Sequence, residues 1–253
     1  MEQVQSTVHT AVESLANKRI VLTGGTTGIG RAIARLLCAS GARIFTFGRH
    51  QEQLDEVITQ IREAGGQADG IVADSASAND IRQVFQRADE ALGGLDILIN
   101  CAAIKAEGIG DMPDDEWRYV IETNVMGYLA ATKEALNRMQ SQSRGHIVLI
   151  GSMSADVREE GSSVYVATKS AIQGFAESLR KEVNPKGIKV SLIEPGAAGS
   201  DMQPTSPDQE RQAQEKGEML KAEDVAASVY FVLTQPQRCD IVSVQIRPHM
   251  QAI

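Results

Sequence analysis

Arg19-Ile20-Val21-Leu22-Thr23-Gly24-Gly25-Thr26-Thr27-Gly28-Ile29-Gly30 is the stretch that decides the fold. An aliphatic run breaks into a glycine-rich turn, and the turn leads into apolar residues at helical spacing. A strand that ends this way and opens a helix gathers backbone N–H groups and the positive end of the helix dipole at one point, where a pyrophosphate can be held. Glycine permits both the tight turn and the close approach of such a group to the backbone.

Outward from this turn the same alternation continues. From Lys18 on, short β-branched or aliphatic runs alternate with amphipathic stretches, the pattern of parallel strands joined by crossover helices. It predicts strands over 19–23, 43–47, 70–73, 95–99, 146–150, 188–193 and 241–246. Helices are predicted near 28–40, 51–64, 77–92, 115–139, 164–183 and 222–234, with Gly41, Gly65, Gly66, Gly93 and Gly94 as stop signals. The expected fold class is α/β, a single Rossmann-type domain with a doubly wound seven-stranded parallel sheet and helices on both faces. A chain of 253 residues can close one core of this size.

Residues 18–253 read as that domain and 1–17 as an N-terminal extension. Val4, Val8, Val12 and Leu15 share helical spacing there, so the extension is either a short surface helix or a frayed terminus. Residues 197–221 are polar, contain Pro204 and Pro207, and show no clear strand or long helix, which reads as a mobile substrate lid.

Composition narrows the function classes. Hydrophobic residues make up 42% without any run long enough to cross a bilayer, so no membrane partner is expected. The net charge of −8 argues against a nucleic-acid surface, which needs a basic patch to displace counterions. Cys38, Cys101 and Cys239 are odd in number and lack CxxC spacing, and no signal-peptide pattern precedes them, which points to a cytoplasmic location. The histidines His9, His50, His146 and His249 show no ligand spacing, and no metal site is expected.

Open α/β sheets bind ligands at the carboxyl ends of their strands, so the residues after each strand carry the chemistry. After the fifth stands Ser152, and thirteen residues later begins Tyr165-Val166-Ala167-Thr168-Lys169. Tyr165 and Lys169, four apart, share one helix face. A phenolate near neutrality needs about 4 kcal/mol of differential stabilisation, much of which a partly buried ammonium nearby can supply. Tyr165 can then take a proton from an alcohol or give one to a carbonyl, while Ser152 hydrogen-bonds the same oxygen.

With Thr23-Gly24-x-x-x-Gly28-x-Gly30, Ser152 and Tyr165-x-x-x-Lys169 in this order, the chain resembles the short-chain dehydrogenase/reductase family from about Leu15 to the C-terminus. The resemblance implies hydride transfer between a nicotinamide and a small carbonyl compound or secondary alcohol, without a metal. It implies a catalytic set of Asn124, Ser152, Tyr165 and Lys169. Asn124, in Thr123-Asn124-Val125, matches the family's helix-interrupting asparagine, which holds a relay water, and Lys169 would also hold the nicotinamide ribose.

Cofactor contacts are implied for Gly24, Thr26, Thr27, Gly28, Ile29 and Gly30 of the turn, and for Arg49, His50, Asp74 and Ser75 after the next two strands. Asp74 would meet the adenine amino group. Asn100-Cys101-Ala102-Ala103 resembles the family's Asn-Asn-Ala-Gly, which adds Asn100, Ala102 and Ala103; Cys101 reads as a packed small residue. Pro195, Gly196, Ala198 and Ser200 follow the sixth strand, with the Ser200 hydroxyl in place of the family's threonine. No acid stands at Gly48 to hold a ribose 2′-hydroxyl, and Arg49 offers a planar charged fork, so NADP(H) is favoured, with NAD(H) as the other cofactor of the class.

Substrate contacts are expected from Ser154, Asp156, Arg158, Glu159 and Glu160. The family usually self-associates through helices like those near 115–139 and 164–183, which implies a homotetramer or homodimer. The alternative is a catalytically idle dinucleotide-binding sensor or scaffold on the same fold. Its expected mark is a broken tyrosine or lysine position, and both are intact.

Overall fold

The computed structural model describes residues 11–199 and 206–251. Strands β1 (Arg19–Thr23), β2 (Arg43–Gly48), β3 (Gln67–Val72), β4 (Ile97–Asn100), β5 (Gly145–Ile150), β6 (Ile188–Pro195) and β7 (Ser243–Ile246) form one sheet in the order β3-β2-β1-β4-β5-β6-β7. Every neighbouring pair is parallel. The crossovers carry α1 (Gly28–Ala39), α2 (Gln51–Glu63), α3 (Ala78–Leu92), α4 (Asp114–Ile121), α5 (Gly127–Met139), α6 (Ser154–Val157), α7 (Ser163–Val183), α8 (Pro207–Glu215) and α9 (Ala222–Leu233).

Period-two alternation sends successive side chains of each strand to opposite faces, and both faces are covered, as parallel sheets require. Ile20 and Leu22 of β1 pack with Ile33 and Leu37 of α1, Val57 of α2 and Val229 of α9. Val21 of the same strand belongs to the opposite layer, with Phe85 of α3, Tyr128 of α5 and Ile172 of α7.

Besides the later starts of β4 and β7, at Ile97 and Ser243, four sequence expectations shift. The third strand starts earlier, at Gln67, because β3 is an edge strand paired only with β2. An edge tolerates Gln67 and Asp69, which dilutes the apolar signal. The helix expected over 115–139 is interrupted by a π-helical turn at Glu122–Met126, where the Gly127 N–H reaches back to the Glu122 carbonyl, an i to i+5 bond. Within the extension, Val4 and Val8 lie outside the described residues, and 11–17 form no helix: Leu15 is buried in the core and the Glu13 N–H donates to the Thr234 carbonyl at 2.8 Å. Fixing Leu15 against the domain holds this segment to a path that a surface helix would not follow. Finally, the segment read as having no clear strand or long helix contains the nine-residue α8, opened by a capping box in which the Ser206 N–H donates to Gln209 Oε1 at 2.8 Å, with Pro207 in the first turn. Those cap residues outweigh the polarity that suggested a loop. Among the described residues no helix is long and apolar enough to cross a membrane.

Candidate active site

The chain leaves β1 toward one side of the sheet and β4 toward the other, so a crevice opens between their carboxyl ends. There the loops after β1 to β6 line one cavity of about 580 Å³. Thr23 ties the first two parts together: its hydroxyl oxygen accepts the N–H groups of Cys101 and Ala102 at 2.9 and 3.0 Å. Gly24, at φ +69°, lies so close to the next loop that a methyl group on it would sit 2.8 Å from the Ala102 Cα, and one on Gly30 would overlap the Gly24 carbonyl. The residue before α1, Thr27, makes no side-chain cap, and the first turn carries no acid. Thr26, Thr27, Gly28, Ile29 and Gly30 thus offer the cavity an uncapped, positive helix end, which fits the pyrophosphate of a dinucleotide.

Arg49, His50, Asp74 and Ser75 line one end of the cavity, and Ala102 and Ala103 line its middle. Asn100 does not reach it. Fully buried, its amide donates to the Tyr128 carbonyl at 3.3 Å and Thr132 Oγ1 at 3.1 Å. The strand alternation turns this side chain under the sheet, where it anchors α5. Tyr119, which no sequence motif singled out, joins the charged groups at the rim. Its hydroxyl donates to Asp74 Oδ2 at 2.7 Å and accepts from Arg49 Nη1 at 3.1 Å. Burial, then the bond to Asp74, pushes its phenol above the ordinary value.

The opposite end holds Ser152, Tyr165 and Lys169. The start of α7 places Tyr165 in its first turn and Lys169 one turn on, and both face inward. The Ser152 hydroxyl favours the ionised form of the neighbouring Tyr165 phenol and accepts the Ser154 N–H at 3.1 Å. Lys169 Nζ lies 5.5 Å from the Tyr165 ring centre and donates to the Ile150 carbonyl at 3.0 Å. Asn124 sits in the π-helical turn: its amide donates to the Ile104 carbonyl at 2.8 Å, and its Oδ1 accepts the Ile104 N–H at 2.8 Å. Its side chain therefore pins the loop after β4, an assignment the sequence did not suggest.

Electrostatics differ from the sequence expectation of an acidified phenol. In the chain alone, burial dominates and pushes Tyr165 up to about 12, while it pushes Lys169 down to about 8. For each group, taking its charge out of water is the largest cause. Glu159, held by the Ser154 hydroxyl at 2.7 Å, adds negative charge that raises Tyr165 further. Burial also holds the Cys101 thiol up at about 12, so this wall of the cavity presents no thiolate. Pro195, Gly196 and Ala198 line the remaining side; Ser200 lies outside the described residues.

Residues 18–211 match the family of short chain dehydrogenases. The chain belongs to that family. An uncharacterized oxidoreductase of Staphylococcus aureus is 33% identical to this short chain dehydrogenase, over 92% of this chain and 98% of the relative. A short chain dehydrogenase from Burkholderia cenocepacia J2315, solved in complex with NADP, superposes with a TM-score of 0.82 at 33% identity, covering 93% of this chain and 98% of that one. An actinorhodin polyketide ketoreductase solved with NADPH gives a TM-score of 0.82 at 28% identity, over 92% and 97%. The family is one of oxidoreductases on a nucleotide-binding Rossmann fold, which agrees with the cradle and cavity described above.

Proposed function

We propose that this short chain dehydrogenase interconverts a small carbonyl compound and its secondary alcohol, with NADP(H) favoured as cofactor. One observation carries the reading: Ser152, Tyr165 and Lys169 share a wall of the cavity whose other end is the glycine cradle. Nicotinamide would supply the hydride or its acceptor, and the oxidised ring a positive charge beside the phenol. The uncapped end of α1 would hold the pyrophosphate, Asp74 the adenine, and Lys169 the ribose hydroxyls.

In reduction, Tyr165 Oη gives its proton to the carbonyl oxygen while the Ser152 hydroxyl bonds the same oxygen. Lys169 then favours the phenolate left behind. Asn124 keeps the Ile104 loop, and with it one side of the substrate cavity, in place. The cofactor preference draws support from Arg49 beside a glycine with no acid and from the NADP and NADPH of the two related structures. The exposed Met126, last of the π-helical turn, and Leu129 in α5 support self-association as a homodimer or homotetramer, and the three free cysteines a cytoplasmic setting.

The test is a screen of carbonyl compounds and alcohols with NADPH, NADH and their oxidised forms, followed by nicotinamide absorbance. Turnover with NADPH should fall about 100-fold or more in Tyr165→Phe while the variant still binds nucleotide. A chain that binds nucleotide but turns nothing over, with Tyr165→Phe indistinguishable from it, would leave the idle sensor as the better reading.

A further inference from the structure

At the nucleotide end of the cavity the two charged groups do not touch one another. Among the described residues no ion pair joins Arg49 to a carboxylate; the phenol of Tyr119 stands between it and Asp74. We propose that Tyr119 is a specificity-determining positioning residue, which presets the Arg49 guanidinium for the 2′-phosphate of NADP(H), while Asp74, held also by the Ala76 N–H, keeps its place for the base without it. The proposal rests on the reading of the site as NADP(H)-dependent.

Donor counting supports it. A tyrosine hydroxyl has one hydrogen to give and lone pairs to receive, and here the hydrogen goes to Asp74 Oδ2 while Arg49 Nη1 donates to the oxygen. Asp74 Oδ1 already accepts the Ala76 N–H at 2.9 Å. The carboxylate is thus held at both oxygens, each with a lone pair to spare for an adenine amino group.

Arg49 commits one of its five N–H groups to the phenol, and its guanidinium carbon lies 6.0 Å from the ring centre. The remaining donors form the planar edge that matches a phosphate. An exposed arginine otherwise loses rotamer freedom on binding, and the phenol removes part of that cost in advance. Were Arg49 to swing onto Asp74 directly, its fork would be occupied by the carboxylate and the base would lose its acceptor.

The weight on Arg49 is large. Of the permanently or ordinarily charged cations among the described residues that line the cavity, Lys169 belongs to the catalytic wall and Lys105 to the loop after β4, which leaves Arg49 for the nucleotide end. Thr27, in the turn, is not basic.

Calorimetric titration of NADP+, NAD+ and 2′-AMP into the wild type, Tyr119→Phe, Arg49→Gln and the double variant tests this. Tyr119→Phe should weaken NADP+ and 2′-AMP about three- to tenfold, the effect of one hydrogen bond, and NAD+ by less than about twofold. In the Arg49→Gln background the same change should alter NADP+ by less than about twofold, since the partner is gone. The NADP+ to NAD+ ratio cancels any change in the fraction of folded protein. Equal weakening of both nucleotides, no weakening, or an undiminished loss in the Arg49→Gln background would overturn the role of Tyr119 with the site reading intact. A wild type that binds neither nucleotide, or binds NAD+ as tightly as NADP+, would instead overturn the reading beneath it, and the proposal with it.

Discussion

Tyr165 near 12 and Lys169 near 8 mean that at neutral pH the chain holds a neutral phenol beside an ammonium. For the proposed reaction that resting state supplies an acid for carbonyl reduction, whereas alcohol oxidation would need the phenolate and should accelerate as pH rises. Glu159 modulates this balance. It lines the same cavity as Tyr165 and follows Arg158, which adopts φ +56°, a left-handed conformation that bulky residues rarely take. A negative charge disfavours a second one nearby, so Glu159 raises the tyrosine, and Glu159→Gln, which keeps an acceptor for Ser154, should lower it. The rising limb of kcat/KM for oxidation should then move to lower pH, with a gain of about two- to fivefold on that limb at low salt. The gain should shrink at high ionic strength because Glu159 is exposed. A pH profile that does not move, or moves upward, would place Glu159 out of electrostatic reach of Tyr165.

At the scale of elements, glycine shows how one substitution can carry opposite signs. Gly30→Ala puts a methyl on the Gly24 carbonyl and within 3.0 Å of the Gly25 Cα, backbone atoms that no rotamer change can move. It should cost about 1–3 kcal/mol in denaturant unfolding and most of the nucleotide affinity, because relief requires opening the cradle. Gly174, exposed in α7, has nothing within 4 Å of an added methyl, and Gly174→Ala should stabilise by about 0.5–1 kcal/mol. A destabilised Gly174→Ala would show that this face of α7 is covered. The cradle was legible in the sequence because strand, turn and helix are contiguous, and the Tyr165, Lys169 and Ser152 wall because a helical period and a strand end fix it. Tyr119 was not, because its meeting with Arg49 and Asp74 depends on how α4 lies across the ends of β2 and β3. The π-helical turn was hidden for a related reason: residues 115–139 keep one helical pattern, and the extra residue appears only in the hydrogen bonds. The capping box of α8 was present as Ser206-Pro207-Asp208-Gln209, but the surrounding polar run masked it.

For the molecule as a whole, two apolar layers enclose a sheet whose carboxyl edge carries the candidate site, and the opposite edge carries a buried polar group that should limit stability in acid. His146, second residue of β5, stands opposite Lys189 of β6 and is almost fully buried. Its Nε2 lies 2.9 Å from Ser191 Oγ, whose single hydrogen goes to the Ile241 carbonyl at 2.6 Å. The serine must therefore accept, so Nε2 carries a proton; what keeps the ring neutral is its surroundings. Burial, then the neighbouring Lys189 charge, pushes its pKa down to about 3. The folded chain keeps this ring neutral, while the unfolded chain takes up a proton below the ordinary value of 6.5. Stability should therefore fall as pH drops from 6.5 toward 3, by on the order of 3–5 kcal/mol over the whole window. Asp96, held below the ordinary carboxylate value by its bonds to Arg19 against the opposing effect of burial, adds loss of the same sign, whereas Glu194, raised by burial, acts in the opposite sense. Urea unfolding of the wild type and His146→Gln at pH 7 and pH 4 separates these, since the carboxylates are common to both. His146→Gln keeps a donor for Ser191 and should cost about 1 kcal/mol at pH 7, yet lose less than the wild type between the two pH values, so that the gap narrows or reverses in acid. A gap that stays constant would mean that His146 does not titrate on unfolding, and that the acid sensitivity of the fold lies in its carboxylates alone.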